Sequence, residues 1–282
     1  LLSANTAFAF PSWIGNCCSH TDRVTTGTIY AGDLVTFEIV MNQDYVGLGA
    51  RVAIDSGGGF SDNDMSYGGN DSGNSWWQYQ QRFNAGTKTF YFYGWETWSG
   101  DTIYDSNGGS NYSVTVTALS NPSSTSATAD SGSQITVSWT KWNSKNVMVV
   151  RSTDASFTAP TGGTSYAVDA TIGGDTVIYN GSGTSVADTG LSTGTTYYYK
   201  LYSVNNDYYS AGDEVNATTS ASTPSITIDS STSATAADFT TTYGTASSAQ
   251  TFSIAGGNLT ASITATAGTG FEVSSDGSSY SS

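Results

Sequence analysis

The chain has 282 residues, a length that predicts two or three domains. Eight basic residues against 23 acidic ones give a formal charge of -15. That balance opposes a phosphate backbone and an anionic membrane, because nucleic-acid affinity rests on Lys and Arg displacing counterions. Short alternating runs recur between Gly, Asn, Asp and Ser clusters, with 32 Gly, only 4 Pro and no apolar stretch of about 18 residues. The expected fold class is all-β, built of tandem Ig-like β-sandwich domains, with no nucleic-acid partner and no membrane insertion.

Residues 1–9, LLSANTAFA, lack an initiator Met and end in Ala7-Phe8-Ala9, the small-x-small pattern that precedes signal-peptidase cleavage. They read as a signal-peptide remnant with Phe10 as the mature start. The acidic, lysine-poor composition agrees with a secreted protein, extracellular or at the cell surface. Cys17 and Cys18 are adjacent. Consecutive Cα atoms lie about 3.8 Å apart, below the usual disulfide span, so a partner elsewhere and a rare vicinal bond both stay open. His20 completes a Cys-Cys-Ser-His run, but the further ligands of a zinc site are absent nearby.

The first unit, 10–118, offers strands at TIYAGDLVTFEIVMN, ARVAID, NDMSY, WWQYQQRF, TKTFYFYGW and NYSVTVTA. Alternation turns Val35, Phe37, Ile39 and Met41 inward together. It does the same for Val52 with Ile54, Trp77 with Tyr79 and Phe83, Phe90 with Phe92, and Tyr112 with Val114 and Val116. Outward lie Trp76, Gln78, Gln80 and Arg82 on one strand, and Tyr91, Tyr93 and Trp95 on another. If those two strands are neighbours, they make a ring-bearing polar surface. Such a surface suits sugars: rings stack on the C–H face of a pyranose while Asp, Asn and Gln take its hydroxyls. The cluster Asp62-Asn63-Asp64 invites structural calcium, yet it lacks the glutamate of an EF-hand loop and reads as solvated turn.

The run TFYFYGWETWSGDTIYDSNGGSNYSVTV, preceded by VTFEIVM, ARVAID, Met65 and WWQY in that order, resembles starch-binding modules of the family 25 and family 53 type over about ninety residues. The resemblance implies a polysaccharide ligand of α-glucan type. The residues expected to touch it are Trp76, Tyr93, Trp95, Trp98, Tyr104, Asp105 and Asn107. Two positions depart from that pattern. Ala53 stands where the binding histidine is expected, and Tyr104 replaces the platform tryptophan. No cofactor is expected.

Residues 120–134, SNPSSTSATADSGSQ, read as a linker into a second unit, 119–221. There ITVSWT aligns Ile135, Val137 and Trp139, and GLSTGTTYYYKLYSVN aligns Leu191, Tyr197, Tyr199 and Leu201. A core Trp on an early strand and a Tyr bonded back across a corner lock two sheets together. These residues resemble a fibronectin type III domain, usually a spacer. The departures are Thr193 in place of Pro and a long excursion, GGTSYAVDATIGGDTVIYNGSG. Residues 222–282 resemble the Ig-like repeats of secreted multidomain proteins of Bacteroidetes-type bacteria, cut short, so the sequence is expected to be a fragment.

One histidine, no HExxH or P-loop, and four glutamates scattered over three units (Glu38, Glu96, Glu214 and Glu272) assemble no active site. The expectation is a non-catalytic N-terminal part of a secreted multidomain protein that binds polysaccharide weakly. One rival is a structural or adhesive surface protein made of spacers. Another is an accessory region of a hydrolase or nuclease whose catalytic domain lies beyond Ser282. Nothing in the sequence speaks to oligomeric state.

Overall fold

A computed structural model describes residues 24, 27–42, 49–71, 74–95, 102–105, 109–228, 245, 253–266 and 272–275. The signal-peptide remnant, Cys17, Cys18, His20, Trp98 and Asn107 lie outside the described residues; Trp95 and Asp105 are described as strand residues only. The fold is all-β. The first nine strands are β1 (Ile29–Tyr30), β2 (Leu34–Asn42), β3 (Gly49–Asp55), β4 (Phe60–Asp64), β5 (Ser66–Asp71), β6 (Asn74–Arg82), β7 (Gly86–Trp95), β8 (Thr102–Asp105) and β9 (Tyr112–Thr117). They form a small sheet in the order β2-β6-β5 and a larger one in the order β1-β9-β7-β3-β4, with β8 also paired to β7.

The period-2 apolar pattern builds the core between these sheets. Val35, Phe37 and Ile39 from the small sheet meet Val52, Ile54, Phe90, Phe92, Val114 and Val116 from the larger one, all buried. Phe37 is the hub, edge-on to Phe90 at 4.9 Å and to Phe83 at 6.0 Å. Trp77, Tyr79 and Tyr112 are half-buried against the same cluster.

The condition for one joint ring-bearing surface fails, and one strand expectation needs correction. β6 and β7 are not neighbours: β6 pairs with β2 and β5, whereas β7 pairs with β3, β8 and β9. Consecutive strands pair only about two-thirds of the time, and here the chain changes sheets at the buried Phe83. NDMSY is likewise not one strand, because it divides at the buried Met65 between β4 and β5.

The second sandwich uses β10 (Ser123–Ala129), β11 (Gln134–Thr140), β12 (Asn146–Ser152), β13 (Thr171–Ile172), β14 (Asp175–Gly181), β15 (Ser185–Thr189), β16 (Thr196–Asn205), β17 (Tyr208–Tyr209) and β18 (Asp213–Thr218). One sheet runs β10-β11-β15; the other runs β13-β14-β12-β16-β17, with β18 also on β16. Both expected locking devices are present. The Ser192 amide donates to Tyr197 Oη at 3.0 Å, and Trp139 Nε1 donates to the Gly183 carbonyl at 3.1 Å from within the core. Buried Asp188 on one sheet accepts from Arg151 at 2.8 Å and from Tyr199 Oη at 2.9 Å on the other, a third tie across the layers. This is an Ig-like two-sheet β-sandwich with the ties that the fibronectin type III resemblance implied. Thr193 fastens its corner by donating to the Ser220 carbonyl at 2.7 Å.

The stretch read as a linker contains strand β10. Ala127 and Ala129 alternate inward against the core while the polar residues between them face out, which a reading from Ser/Thr content alone conceals. The long excursion also gains a role. Its second half supplies β13 and β14 of the larger sheet, while its first half and the segment before it lie over the outer face of that sheet. Phe157, Tyr166 and Ala170 cover Met148, Val150, Val177, Tyr202 and Val204 there, making a second apolar layer. Beyond it, β19 (Ser225–Ile228) pairs antiparallel with β20 (Ile254–Gly257).

Candidate functional site

The outer face of the larger sheet in the first sandwich carries the rings. Alternation on β7 sends Phe90 and Phe92 into the core, so Tyr91 and Tyr93 point outward. Strand register sets Asp64, Arg51, Tyr93 and Tyr104 in one row across β4, β3, β7 and β8. Asp62, Ala53 and Tyr91 make the next row. Tyr93 and Tyr104 stack, with centroids 5.7 Å apart and planes inclined by 30°. Tyr91 lies 6.1 Å from Tyr93 and 6.2 Å from Tyr104, and Phe60 closes the cluster 5.0 Å from Tyr91. Tyr104 is 60% exposed and Phe60 44%, whereas Tyr91 and Tyr93 are half-buried.

Polar groups frame these rings. Arg51 forms an ion pair with Asp64 across the β3–β4 ladder, and Arg51 and Asp62 both lie beside the Tyr93 hydroxyl. Asp64 holds the guanidinium above its ordinary value, so Arg51 stays charged. Burial, more than any neighbour, raises the Tyr91 and Tyr93 hydroxyls above the usual tyrosine value, leaving both neutral donors at physiological pH. The β3–β4 turn is tied by Asp55, whose Oδ1 accepts from the amides of Gly57, Gly58 and Gly59 at 2.7, 3.1 and 3.0 Å. Gly57 and Gly59 need φ of 110° and 98°, which favours glycine there. The turn delivers Phe60, Asp62 and Asp64 to the face.

The seven expected residues divide. Tyr93 and Tyr104 come together at the centre of the face. Trp95 continues β7 two residues beyond Tyr93, opposite Thr102, and Asp105 lies opposite Phe92. Trp76 is placed elsewhere, on β6 in the small sheet, with its ring against Gly68 and Gly69; any side chain at Gly68 would overlap that ring. Trp76 and the Tyr93–Tyr104 pair therefore belong to different sheets and share no surface row. Ala53, where the resemblance expects a histidine, faces outward yet is fully buried, so the surrounding side chains close over it. Sequence reasoning missed Phe60 and the framing role of Arg51, Asp62 and Asp64. Those acids are in edge strand β4 rather than a solvated turn. Among the described residues, no group of three or more His, Cys, Asp and Glu could hold a metal. A cleft of 320 Å³ lined by Ser56, Ser61, Asn63 and Gln81 opens on the other side of β4 and contains none of the rings.

No protein-family model matches this chain, and no curated protein matches it. Several solved structures overlap parts of it. An Fn3-like protein from Clostridium thermocellum is 28% identical, over 36% of this chain and 92% of that one, with a TM-score of 0.28. A two-domain fibronectin type III segment from chicken tenascin is 18% identical, over 70% and 96%, with a TM-score of 0.29. The carbohydrate-binding module of the muscle glycogen-targeting subunit of Protein Phosphatase-1 is 13% identical, over 34% and 76%, with a TM-score of 0.28. Likeness at this level decides nothing about function.

Proposed function

We propose that the first sandwich binds a neutral polysaccharide on its ring-bearing face, as a non-catalytic part of a secreted multidomain protein in which the second sandwich is a spacer. What carries the reading is the stacked Tyr93–Tyr104 pair, joined by Tyr91 and the exposed Phe60 and framed by Asp62, Arg51 and Asp64. A contiguous set of rings with hydroxyl-binding groups at its border is the chemistry a pyranose chain needs. The acid groups and the chain's charge of -15 disfavour a polyuronate, which leaves uncharged chains, with an α-glucan of starch type the first to test.

The contact is weak by construction. A sugar covering about 80 Å² of ring, at about 25 cal/mol/Å², gains about 2 kcal/mol, so two or three rings gross about 4 to 6 kcal/mol. After association costs, millimolar binding near about -4 kcal/mol remains. Weak contacts of this kind act by keeping attached domains near a polymer. Affinity electrophoresis through starch, glycogen, β-glucan and xylan tests the reading. At least one polymer should retard the wild type and not Tyr104→Ala, while Trp76→Ala migrates as wild type. Unretarded migration in every gel defeats it.

A further inference from the structure

The first sandwich does not end at its own residues. We infer that the β16–β17 hairpin of the second sandwich docks into the first and completes it, so that the two modules are one rigid body holding the ring face in a fixed orientation.

The hairpin turns at Asn206 and Asp207, both left-handed with φ of 49° and 63°, a conformation that Asn and Asp tolerate best among residues with a side chain. Its tip enters the turn between β1 and β2. Asn205 Nδ2 donates to the Ala31 carbonyl at 2.9 Å and to Asp33 Oδ1 at 2.8 Å, and Asn206 Nδ2 donates to the Gly32 carbonyl at 3.1 Å. Asn205 is itself buried, and its Oδ1 accepts from Lys145 at 3.0 Å, so its donors and its acceptor are all engaged. Tyr208 Oη donates to the Arg82 carbonyl at 2.9 Å, and Arg82 in turn donates to the Gly32 carbonyl at 2.6 Å. One corner of the first sandwich is thus bonded from both sides.

Apolar contacts accompany the polar ones. Trp142 meets Tyr30 edge-on at 5.0 Å, and Trp142 and Tyr208 both pack against the first sandwich's own core cluster. Gly32 has φ of 82° and lies so close to the Asn205 backbone that any side chain would overlap the Asn205 carbonyl oxygen. Neighbouring modules ordinarily move relative to one another unless their interface is extensive. Here a buried amide, two aromatic side chains and a glycine required for close approach occupy the junction, features that a loose tether does not need.

The test uses the full chain and 15N relaxation, comparing amides of Val52 and Phe92 with those of Val149 and Leu201. A rigid body gives all four the same rotational correlation time. Gly32→Ala should split them into two shorter times. Gly27→Ala should not, because Gly27 shares the left-handed φ, at 89°, but has nothing within 4 Å of an added Cβ. Asn205→Ala decides the matter if Gly32→Ala fails to fold, and is also expected to split the times. Two correlation times in the wild type, or a single unchanged time in Asn205→Ala, overturn the inference. The outcome is independent of what the ring face binds.

Discussion

Each sandwich has a larger sheet with aromatic residues on its outer face, and the chain treats the two faces differently. In the second, Tyr202 is 1% exposed because Phe157, Tyr166 and Ala170 lie over it. In the first, Tyr104 is 60% exposed and Phe60 44%. Aromatic content therefore says little about function in this protein. What distinguishes the faces is cover: where the outer layer is structural, the segment between β12 and β13 goes into burying it, and where rings remain accessible they are bordered by paired charge instead.

Substitutions can break or sharpen this contrast. Met148→Ala, in the covered layer, should cost about 3 kcal/mol in urea unfolding, because it leaves a cavity in a well-packed site. Ala53→His inserts a ring under a face already closed over that position; we expect a loss of about 2 kcal/mol from overpacking, together with loss of polysaccharide retention. A stable Ala53→His variant with improved retention would return the face to the starch-module pattern. Lys200 lies 5.8 Å from the Phe157 ring and 6.0 Å from Tyr202 while pairing with Glu214 at 2.8 Å. Lys200→Met should lower stability by about 1 kcal/mol and leave retention unchanged. Tyr104→Ala should reverse that pattern, with a stability change under about 0.5 kcal/mol and retention abolished.

The smallest effect is with pH. The amides of Gly57 most, then Gly59 and Gly58, hold the Asp55 carboxylate below its ordinary 3.8. A depressed folded value means the contribution is present above 3.8 and lost as pH falls through the folded value. The Gly57 amide proton shift should therefore titrate with a midpoint below 3.8. A midpoint at or above 3.8 would show that the turn does not hold Asp55.

Much of the fold was legible because period-2 patterning is strong where one face is buried. Val35, Phe37 and Ile39 needed no structure to be placed. The pairing of strands was less legible, because alternation tells which way a residue points and not which sheet it joins. Trp76 and Tyr93 both point outward, but from opposite layers, since the chain crosses at Phe83. Only the end of edge strand β4, Asn63 and Asp64, fell within the expected NDMSY strand, because Asp and Asn are poor strand formers; its place rests on the ladder with β3. The signal that could have revealed it is the glycine-rich turn after ARVAID, which returns the chain along β3. Composition likewise misled at β10, where two inward alanines define a strand that Ser and Thr disguise.

Tyr104 is carried by a strand of four residues that, among the described residues, bonds only to β7, while β7 keeps β9 along Gly86–Phe90. The most exposed ring among the described residues therefore rides on an outrigger, and the barricade of strands behind it closes without its help. Natural variation, or a protein engineer, can exchange that outrigger for one with other rings and leave the buried core between the sheets alone. In that sense the molecule separates the strands that close its core from the strand whose outward ring can change without reopening it.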